Sequence, residues 1–250
     1  MSRVRVMIVT ASRHQGPLII SAKTMGYEVM ATDSRVDAPA LSLADRAAVV
    51  DAESCEDLFR IACEFQPHAI VSEQTDVAVP GVAYVAERLR LPGIGFETAL
   101  RATDKWRMRE ACRSAGLPTP KYRLATSAVS AVEAARDIGS PVVVKPTDNQ
   151  SSRGVTKVTD IAAVPAATAM AASRSRRVLV EECMVGQESS IEPFVIGEAV
   201  HVLGSCENAR RIIGLRWQRV VTPQNHATVW FVAPAAGERP FPDGRWRRAR

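Results

Sequence analysis

The sequence predicts an α/β protein with two domains, the first built on a parallel sheet and the second of α+β type. Three observations predict this class. Short apolar strands alternate with amphipathic helices over the first 115 residues or so, a rhythm that favours parallel strands with right-handed crossovers. A proline-rich connection follows at Gly116–Pro120 and indicates a domain boundary. Beyond it, a second alternation includes the pattern of a β-hairpin.

The elements of the first part follow from apolar runs and helical spacing. Val4–Val9 is apolar except for Arg5 and predicts a buried first strand. Leu58, Ile61 and Phe65 recur on one helical face ahead of Pro67, which predicts that a helix ends there. The expected elements are strands over Val4–Val9, Tyr27–Ala31 and Ala69–Ser72, and helices over Gly16–Met25, Asp57–Phe65 and Val79–Leu89.

The second part has shorter strands and an alanine-rich helix. Pro165 is compatible with that helix only in its first turn. Ser189–Val195 and Ala199–Leu203 flank Gly197-Glu198, which predicts a hairpin. The other expected elements are strands over Tyr122–Ala125, Val142–Lys145, Val155–Val158 and Val178–Glu182, and helices over Val129–Ile138 and across the 160s.

Composition excludes several classes of protein. The hydrophobic fraction of 46% and charged fraction of 24% are ordinary for a soluble globular protein. The longest apolar runs are too short to span a bilayer, and the N-terminal residues do not have the pattern of a signal peptide, so we expect a cytoplasmic protein without membrane partners. The five cysteines lack the spacing of a zinc site or redox pair, so no metal or nucleophilic role is expected for them.

The net charge of +5 is concentrated at the C-terminal end. Residues 1–206 contain 23 basic and 24 acidic side chains, whereas residues 207–250 contain 9 arginines and 3 acids. Ile212–Arg250 has the pattern of neither the strands nor the helices expected to continue the second domain. We favour a frameshift or truncation as the origin of this tail. The alternatives are a divergent working domain, or a basic arm whose Arg245–Arg248 binds nucleic acid.

One segment has the residue types that phosphate binding requires. A predicted buried strand ends in Lys145, and a loop rich in serine and glycine then leads into the next strand. Phosphate oxygens are bound by closely approaching backbone N–H groups and a compact cation, and small residues permit that approach. The alternative is an ordinary hairpin whose lysine extends to solvent. The segment alone does not decide between the two.

A second segment favours the phosphate-binding interpretation. Val178–Glu188 is a predicted strand that continues into a connection containing three acids. Together with Asp104-Lys105, Gly116–Pro120 and the Lys145 segment, it resembles the ATP-grasp superfamily of ligases over roughly residues 4–205. The branches it resembles are the carbamoyl-phosphate-synthetase-like and amino-acid-ligase enzymes, and the formate- and bicarbonate-using enzymes of purine synthesis.

The resemblance implies a domain plan. Residues 1–117 would form a Rossmann-like pre-ATP-grasp domain. Residues 118–206 would form the nucleotide-binding lid and the start of the family's third region, so the α+β ATP-grasp domain would be incomplete. Residues 207–250 would be an atypical arginine-rich tail.

The resemblance also implies the roles of individual residues. Lys105 and Lys145 would contact the α- and β-phosphates, and the loop containing Gln150, Ser151, Ser152 and Gly154 would close over them with its amides as donors. Backbone groups of Glu181 or Glu182 and of Met184 would pair with adenine. Glu188 would accept hydrogen bonds from the ribose hydroxyls. Val143 and Val180 would flank the adenine.

The first predicted strand and helix also allow a dinucleotide-binding interpretation. The turn Thr10–Gly16 contains one glycine where that fingerprint requires three, so a nicotinamide cofactor is not favoured. Four polar residues follow predicted strands and are candidate substrate contacts, although helix caps or solvated loops explain them equally well. These residues are His14, Gln15, Glu73 and Asp76.

The implied function is a carboxylate–amine ligase. ATP would phosphorylate a small carboxylate, and an amine or similar nucleophile would attack the acylphosphate, with Mg²⁺ neutralising charge. The family's metal-binding Glu-x-Asn pattern is not found after Leu203, so no metal ligand or catalytic residue is assigned and impaired turnover is expected. The alternative is a non-catalytic nucleotide-binding or interaction protein. A nucleic-acid partner is disfavoured, and a homodimer is left open.

Overall fold

The computed structural model describes residues 3–196, 199–208 and 229–233. The chain divides into two compact units, Met1–Glu181 and Glu182–Arg250, and each is described by itself. No helix among the described residues is long and apolar enough to cross a membrane.

The first unit begins with a sheet of four parallel strands in the order β3-β2-β1-β4. The strands are β1 (Arg5–Val9), β2 (Glu28–Asp33), β3 (Arg46–Val49) and β4 (Ala69–Val71), and the associated helices are α1 (Gly16–Thr24), α2 (Cys55–Phe65) and α3 (Ala78–Arg88). This confirms the parallel sheet that the alternating pattern predicts. β3, which the sequence did not predict, is a short edge strand.

The central strand β1 is buried on both faces. Met7 and Val9 pack in one core cluster with Leu58 of α2, while Val6 and Ile8 belong to a second cluster with Ile19 of α1. Successive side chains of a strand point to opposite faces, so a strand covered by helices on both sides needs a continuous apolar run. This explains the composition of Val4–Val9.

Two helices connect the first sheet with the second. They are α4 (Phe96–Thr103) and α5 (Lys105–Ser114), and Asp104 lies between them. The Asp104 carboxylate accepts a hydrogen bond of 2.8 Å from the amide of Arg107 and so caps the start of α5. The segment after α5 has no regular structure up to β5 (Tyr122–Ala125).

The second sheet has the strand order β5-β8-β6-β7. Its remaining strands are β6 (Val142–Pro146), β7 (Thr156–Val158) and β8 (Val178–Glu182), and its helices are α6 (Ala128–Ile138) and α7 (Val164–Ala172). β5 pairs antiparallel with β8, and β6 with β7. Val144 and Val180 form one core cluster with alanines of α6 and α7. Pro165 lies in the first turn of α7, where a proline is tolerated.

The second unit contains a sheet of three antiparallel strands in the order β10-β9-β11. β9 (Gln187–Ile196) and β10 (Ala199–Asn208) confirm the predicted hairpin, whose residues 197 and 198 lie outside the described residues. β11 (Val229–Ala233) pairs with the other edge of β9.

β11 corrects the expectation that Ile212–Arg250 contains no strand that would continue the second domain. Its sequence, Val-Trp-Phe-Val-Ala, is apolar, β-branched and aromatic, which favours a strand once a partner edge is available. The composition of the surrounding chain, rich in arginine and proline, obscured this short signal. Residues 209–228 and 234–250 lie outside the described residues. The domain boundaries at 117 and 206 stay predictions.

Candidate functional site

Lys145 lies on β6 between core residues. Val142 and Val144 of this strand are buried in the sheet core, and the alternation of a strand places Lys145 on the opposite face from Val144. Its side chain is nevertheless only 15% exposed, and its Nζ forms an ion pair with Oε2 of Glu181 on the neighbouring strand β8. The lysine predicted to bind phosphate is therefore a buried ammonium group held by a carboxylate.

Glu181 is shared between two cations. Its side chain is 5% exposed, and while Oε2 meets Lys145, Oε1 accepts a hydrogen bond of 2.7 Å from Nε of Arg109 on α5. Burial alone would raise the pKa of Glu181, but Lys145 and Arg109 together outweigh it and hold the pKa below the usual range. Glu181 is therefore an ionised carboxylate bridging two cations.

Lys105 approaches the loop after β6 from the first turn of α5. Its backbone amide donates to the carbonyl of Thr147 at 2.7 Å, and its Nζ donates to the carbonyl of Asn149 at 2.5 Å. A carbonyl is a neutral partner, so this ammonium group is hydrogen-bonded without being neutralised in that contact. The second predicted phosphate-binding lysine thus contacts the residue that directly precedes the predicted phosphate-binding loop.

The two lysines influence each other electrostatically. Burial and then the charge of Lys145 lower the pKa of Lys105, while Asp76, Asp148 and Asp104 act in the opposite direction. Burial also lowers the pKa of Lys145, which Glu181 partly offsets. A lysine whose charge is disfavoured by burial and by a neighbouring ammonium group favours an anionic partner.

The start of α5 is fixed by a second ion pair. Asp104 caps the helix through Oδ1, and its Oδ2 accepts from Arg177, which directly precedes β8. The amide of Thr147 donates to the carbonyl of Arg177 at 3.2 Å. These contacts hold together the helix that presents Lys105, the loop that it contacts and the strand that contains Glu181.

The loop between β6 and β7 has an unusual backbone. Ser151, Ser152 and Gly154 have positive φ angles of 59°, 56° and 78°. Non-glycine residues rarely adopt this region, and such strain is concentrated at functional sites. A Cβ on Gly154 would also lie 3.4 Å from Pro146 and from Arg174. The backbone geometry therefore favours glycine here.

Gln150 connects this loop with the first sheet. Its Oε1 accepts a hydrogen bond of 3.2 Å from the amide of Asp76, which lies in the loop that follows β4. The structure therefore brings Lys105, Lys145 and Gln150 into one region of the first unit. Arg109 and Arg177 also belong to it, although neither was predicted from the sequence. Lys105 and Arg109 are four residues apart and so share a face of α5, a signal that was available.

The predicted adenine and ribose contacts lie further along the chain. Glu182 is the last residue of β8, and Met184 is exposed in the connection to β9. Glu188 lies in β9, but its side chain is outside the described part of the structure. Glu182, Met184 and Glu188 belong to the second unit. The roles assigned to them, and the backbone role of Glu181, stay predictions.

The candidate substrate residues of the first sheet include one with a structural task. Gln15 is buried; its Oε1 accepts from the amide and hydroxyl of Ser12, at 3.0 and 2.7 Å, and its Nε2 donates to the carbonyl of Glu73. It thus ties the turn after β1 to the loop after β4. Asp33 accepts from the amide of Ala11 at 2.8 Å. His14 is exposed.

A nucleotide fits this arrangement better than a metal does. Two partly or fully buried ammonium groups beside a loop with left-handed backbone are suited to phosphate oxygens. Among the described residues, no group of three or more His, Cys, Asp or Glu side chains is placed to hold a metal ion.

Comparisons with known proteins point to the same class. The family model described as the D-ala D-ala ligase C-terminus matches residues 112–215. The formate-dependent phosphoribosylglycinamide formyltransferase of Geobacter metallireducens is 34% identical over 190 residues, which are 72% of this chain and 47% of that protein.

Solved structures share the fold. The L-amino acid ligase of Bacillus licheniformis gives a TM-score of 0.66 at 25% identity, covering 83% of this chain and 51% of that one. The N5-carboxyaminoimidazole synthetase of Staphylococcus aureus, complexed with ADP, gives 0.69 at 16% identity, covering 83% and 55%.

These matches and the two-sheet fold agree with the family resemblance that the sequence shows. The chain belongs to the ATP-grasp superfamily. It spans about half the length of the curated relative from Geobacter metallireducens.

Proposed function

We propose that the first unit binds the phosphates of ATP between Lys105, Lys145 and the loop Gln150–Gly154. The observation that carries this proposal is that Lys105 donates to the loop after β6 at Asn149, while Lys145, whose charge lowers the pKa of Lys105, lies near the end of the strand that leads into this loop. A buried ammonium group is costly unless it is paired. Phosphate oxygens would replace the Asn149 carbonyl as the partner of Lys105 and the Glu181 carboxylate as the partner of Lys145.

The reaction proposed for the protein is activation of a small carboxylate by phosphoryl transfer, followed by attack of an amine or similar nucleophile. The names of a formate-dependent formyltransferase and an amino acid ligase among the relatives support this class. In such chemistry the protein mainly positions the groups and neutralises charge. Mg²⁺ is expected for the family. The proposed partners are ATP and a small carboxylate in the cytoplasm.

The proposed adenine and ribose contacts, and the proposed rate of turnover, rest on the family resemblance alone. We propose the backbone of Glu181 or Glu182 and of Met184 for adenine, and Glu188 for ribose. The impaired turnover expected from the sequence is likewise a proposal. This chain would bind ATP but turn it over slowly. Phosphate release that depends on an added small carboxylate or amino acid would exclude the non-catalytic alternative.

The test is calorimetric titration of the full chain with ADP and with a non-hydrolysable ATP analogue. We expect saturable binding, and we expect Lys145→Met to weaken it at least tenfold, about 1.4 kcal/mol. The matched control is Lys157→Met, because Lys157 is exposed on the adjacent strand β7, opposite Val143. A folded wild-type protein that binds neither nucleotide contradicts the proposal.

A further inference from the structure

Arg109 is a partly buried cation that has no role in the proposed phosphate binding. It lies on α5, one turn after Lys105, with its side chain 25% exposed. Its Nε donates to Oε1 of Glu181, whereas Lys145 occupies Oε2. The two cations therefore bind different oxygens of one carboxylate and do not compete for the same atom.

Nucleotide binding would change the charge balance at Glu181. If Lys145 moves from Glu181 to a phosphate, Glu181 loses one of its two cations while its side chain is 5% exposed. A buried carboxylate without a counter-charge is strongly unfavourable. Without Arg109, each phosphate contact of Lys145 would leave Glu181 in that state, and Glu181 would compete with the nucleotide for the lysine.

We propose that Arg109 is a positioning residue that stays on Glu181 and thereby frees Lys145 to exchange this carboxylate for a nucleotide phosphate. The inference rests on the proposed nucleotide function and deepens it. Arg109 does not contact the phosphates; it acts through Glu181.

The chemistry of arginine suits this task. A guanidinium group remains charged throughout the pH range of proteins and is more weakly hydrated than an ammonium group, so it is favoured in buried ion pairs. The capped start of α5 fixes the backbone that presents Arg109, because Asp104 is itself held by Arg177. The pair Arg109–Glu181 is therefore built to persist while the partner of Lys145 changes.

The test compares ligands with and without phosphate. Affinities for ADP and adenosine are measured by displacement of a fluorescent ADP analogue from the full chain and its variants. We expect Arg109→Met to weaken ADP binding about tenfold, equivalent to about 1.4 kcal/mol, and to leave adenosine binding unchanged. Arg109→Lys keeps a cation and should recover most of the ADP affinity. Arg113→Met is the matched control, since the exposed Arg113 lies one turn later on α5 and pairs with Glu110.

A double variant separates positioning from structural support. Glu181→Gln removes the charge that Arg109 neutralises, so Arg109→Met combined with Glu181→Gln should bind ADP more tightly than Arg109→Met alone. Equal losses for ADP and adenosine, or no recovery in the double variant, overturn the inference. If Arg109→Met does not fold, as judged by thermal unfolding, Arg109→Gln takes its place in the same comparison.

The two proposals fail in different ways. A folded wild-type chain that binds no ADP overturns both the nucleotide function and the inference. A wild type that binds ADP normally while Arg109→Met also binds it normally overturns the inference alone.

Discussion

At the scale of single residues, Lys105 and Lys145 are held in conditions that disfavour their charge. Burial lowers the pKa of both ammonium groups, and Lys145 lowers the pKa of Lys105 further. A bound phosphate reverses this balance, because an opposite charge nearby favours the protonated form. Nucleotide affinity is therefore linked to the protonation of these two side chains.

We predict that ADP binding takes up protons at moderately alkaline pH. Each lysine has a lowered pKa in the free protein, so it loses its proton as the pH rises towards the ordinary lysine value, and the bound phosphate restores it. Affinity should consequently fall with rising pH. The proton uptake is measured by calorimetry in two buffers of different ionisation enthalpy at one pH, with Lys105→Met as the comparison. Proton release on binding would contradict the assignment.

At the scale of elements, the loop between β6 and β7 depends on backbone conformations that side chains restrict. Gly154 has φ +78°, and Gly116, at the end of α5, has φ +69°. An alanine at either position incurs strain of about 1–2 kcal/mol. A Cβ at Gly116 would meet nothing within 4 Å, and one at Gly154 would make only ordinary contacts at 3.4 Å or more. The two glycines therefore differ mainly in whether they belong to the proposed phosphate loop.

We therefore predict that Gly154→Ala and Gly116→Ala lower stability by similar amounts but differ in nucleotide binding. Gly154→Ala displaces the loop amides and weakens ADP binding, whereas Gly116→Ala leaves the affinity unchanged. Urea unfolding and ADP titration measure the two effects. An unaltered ADP affinity in Gly154→Ala would mean that the loop amides do not bind phosphate.

Elements with an apolar pattern could be predicted from the sequence, and those held by polar contacts could not. The strands Tyr122–Ala125 and Val178–Glu182 have the predicted ends because most of their apolar side chains are buried. α5 has no buried residue among Lys105–Ser114, so its sequence lacks the apolar stripe that would predict a helix. It is held by its Asp104 cap and by the pair between Arg109 and Glu181.

The same distinction between local patterns and polar contacts decides which residues of the site could be predicted from the sequence. Lys145 and the loop after it are a local pattern of strand, cation and small residues, which the sequence displays. The partners of Arg109 and Arg177 lie 72 and 73 positions away along the chain. No local spacing identifies such pairs, because they exist only once the sheet has brought α5 and β8 together.

At the scale of the whole molecule, the first sheet depends on a close contact between α2 and α3. A Cβ added to Gly81 of α3 would lie 2.6 Å from the carbonyl oxygen of Ala52 and from Cδ1 of Leu58. Leu58 is fully buried in the core that also contains Met7 of β1. Any side chain at residue 81 therefore displaces backbone as well as core packing.

We predict that Gly81→Ala lowers the free energy of unfolding by about 1–3 kcal/mol, as overpacking of a core does. The control is Gly16→Ala in α1, where a Cβ would make only ordinary contacts with Leu43 and Ala40. Alanine favours helix more than glycine does, so Gly16→Ala should be neutral or stabilising. Denaturant midpoints compare the variants, and equal midpoints would show that α3 can shift freely.

The hydrogen bond between the Asp76 amide and Gln150 has a use as a reporter. Asp76 is otherwise an exposed residue, so its amide proton is shielded from solvent deuterium only while Gln150 remains on it. The hydrogen-exchange rate of this amide then reports how often the hydrogen bond between the loop and the first sheet opens. A single backbone proton, followed with and without nucleotide, thereby times the opening and closing of the loop.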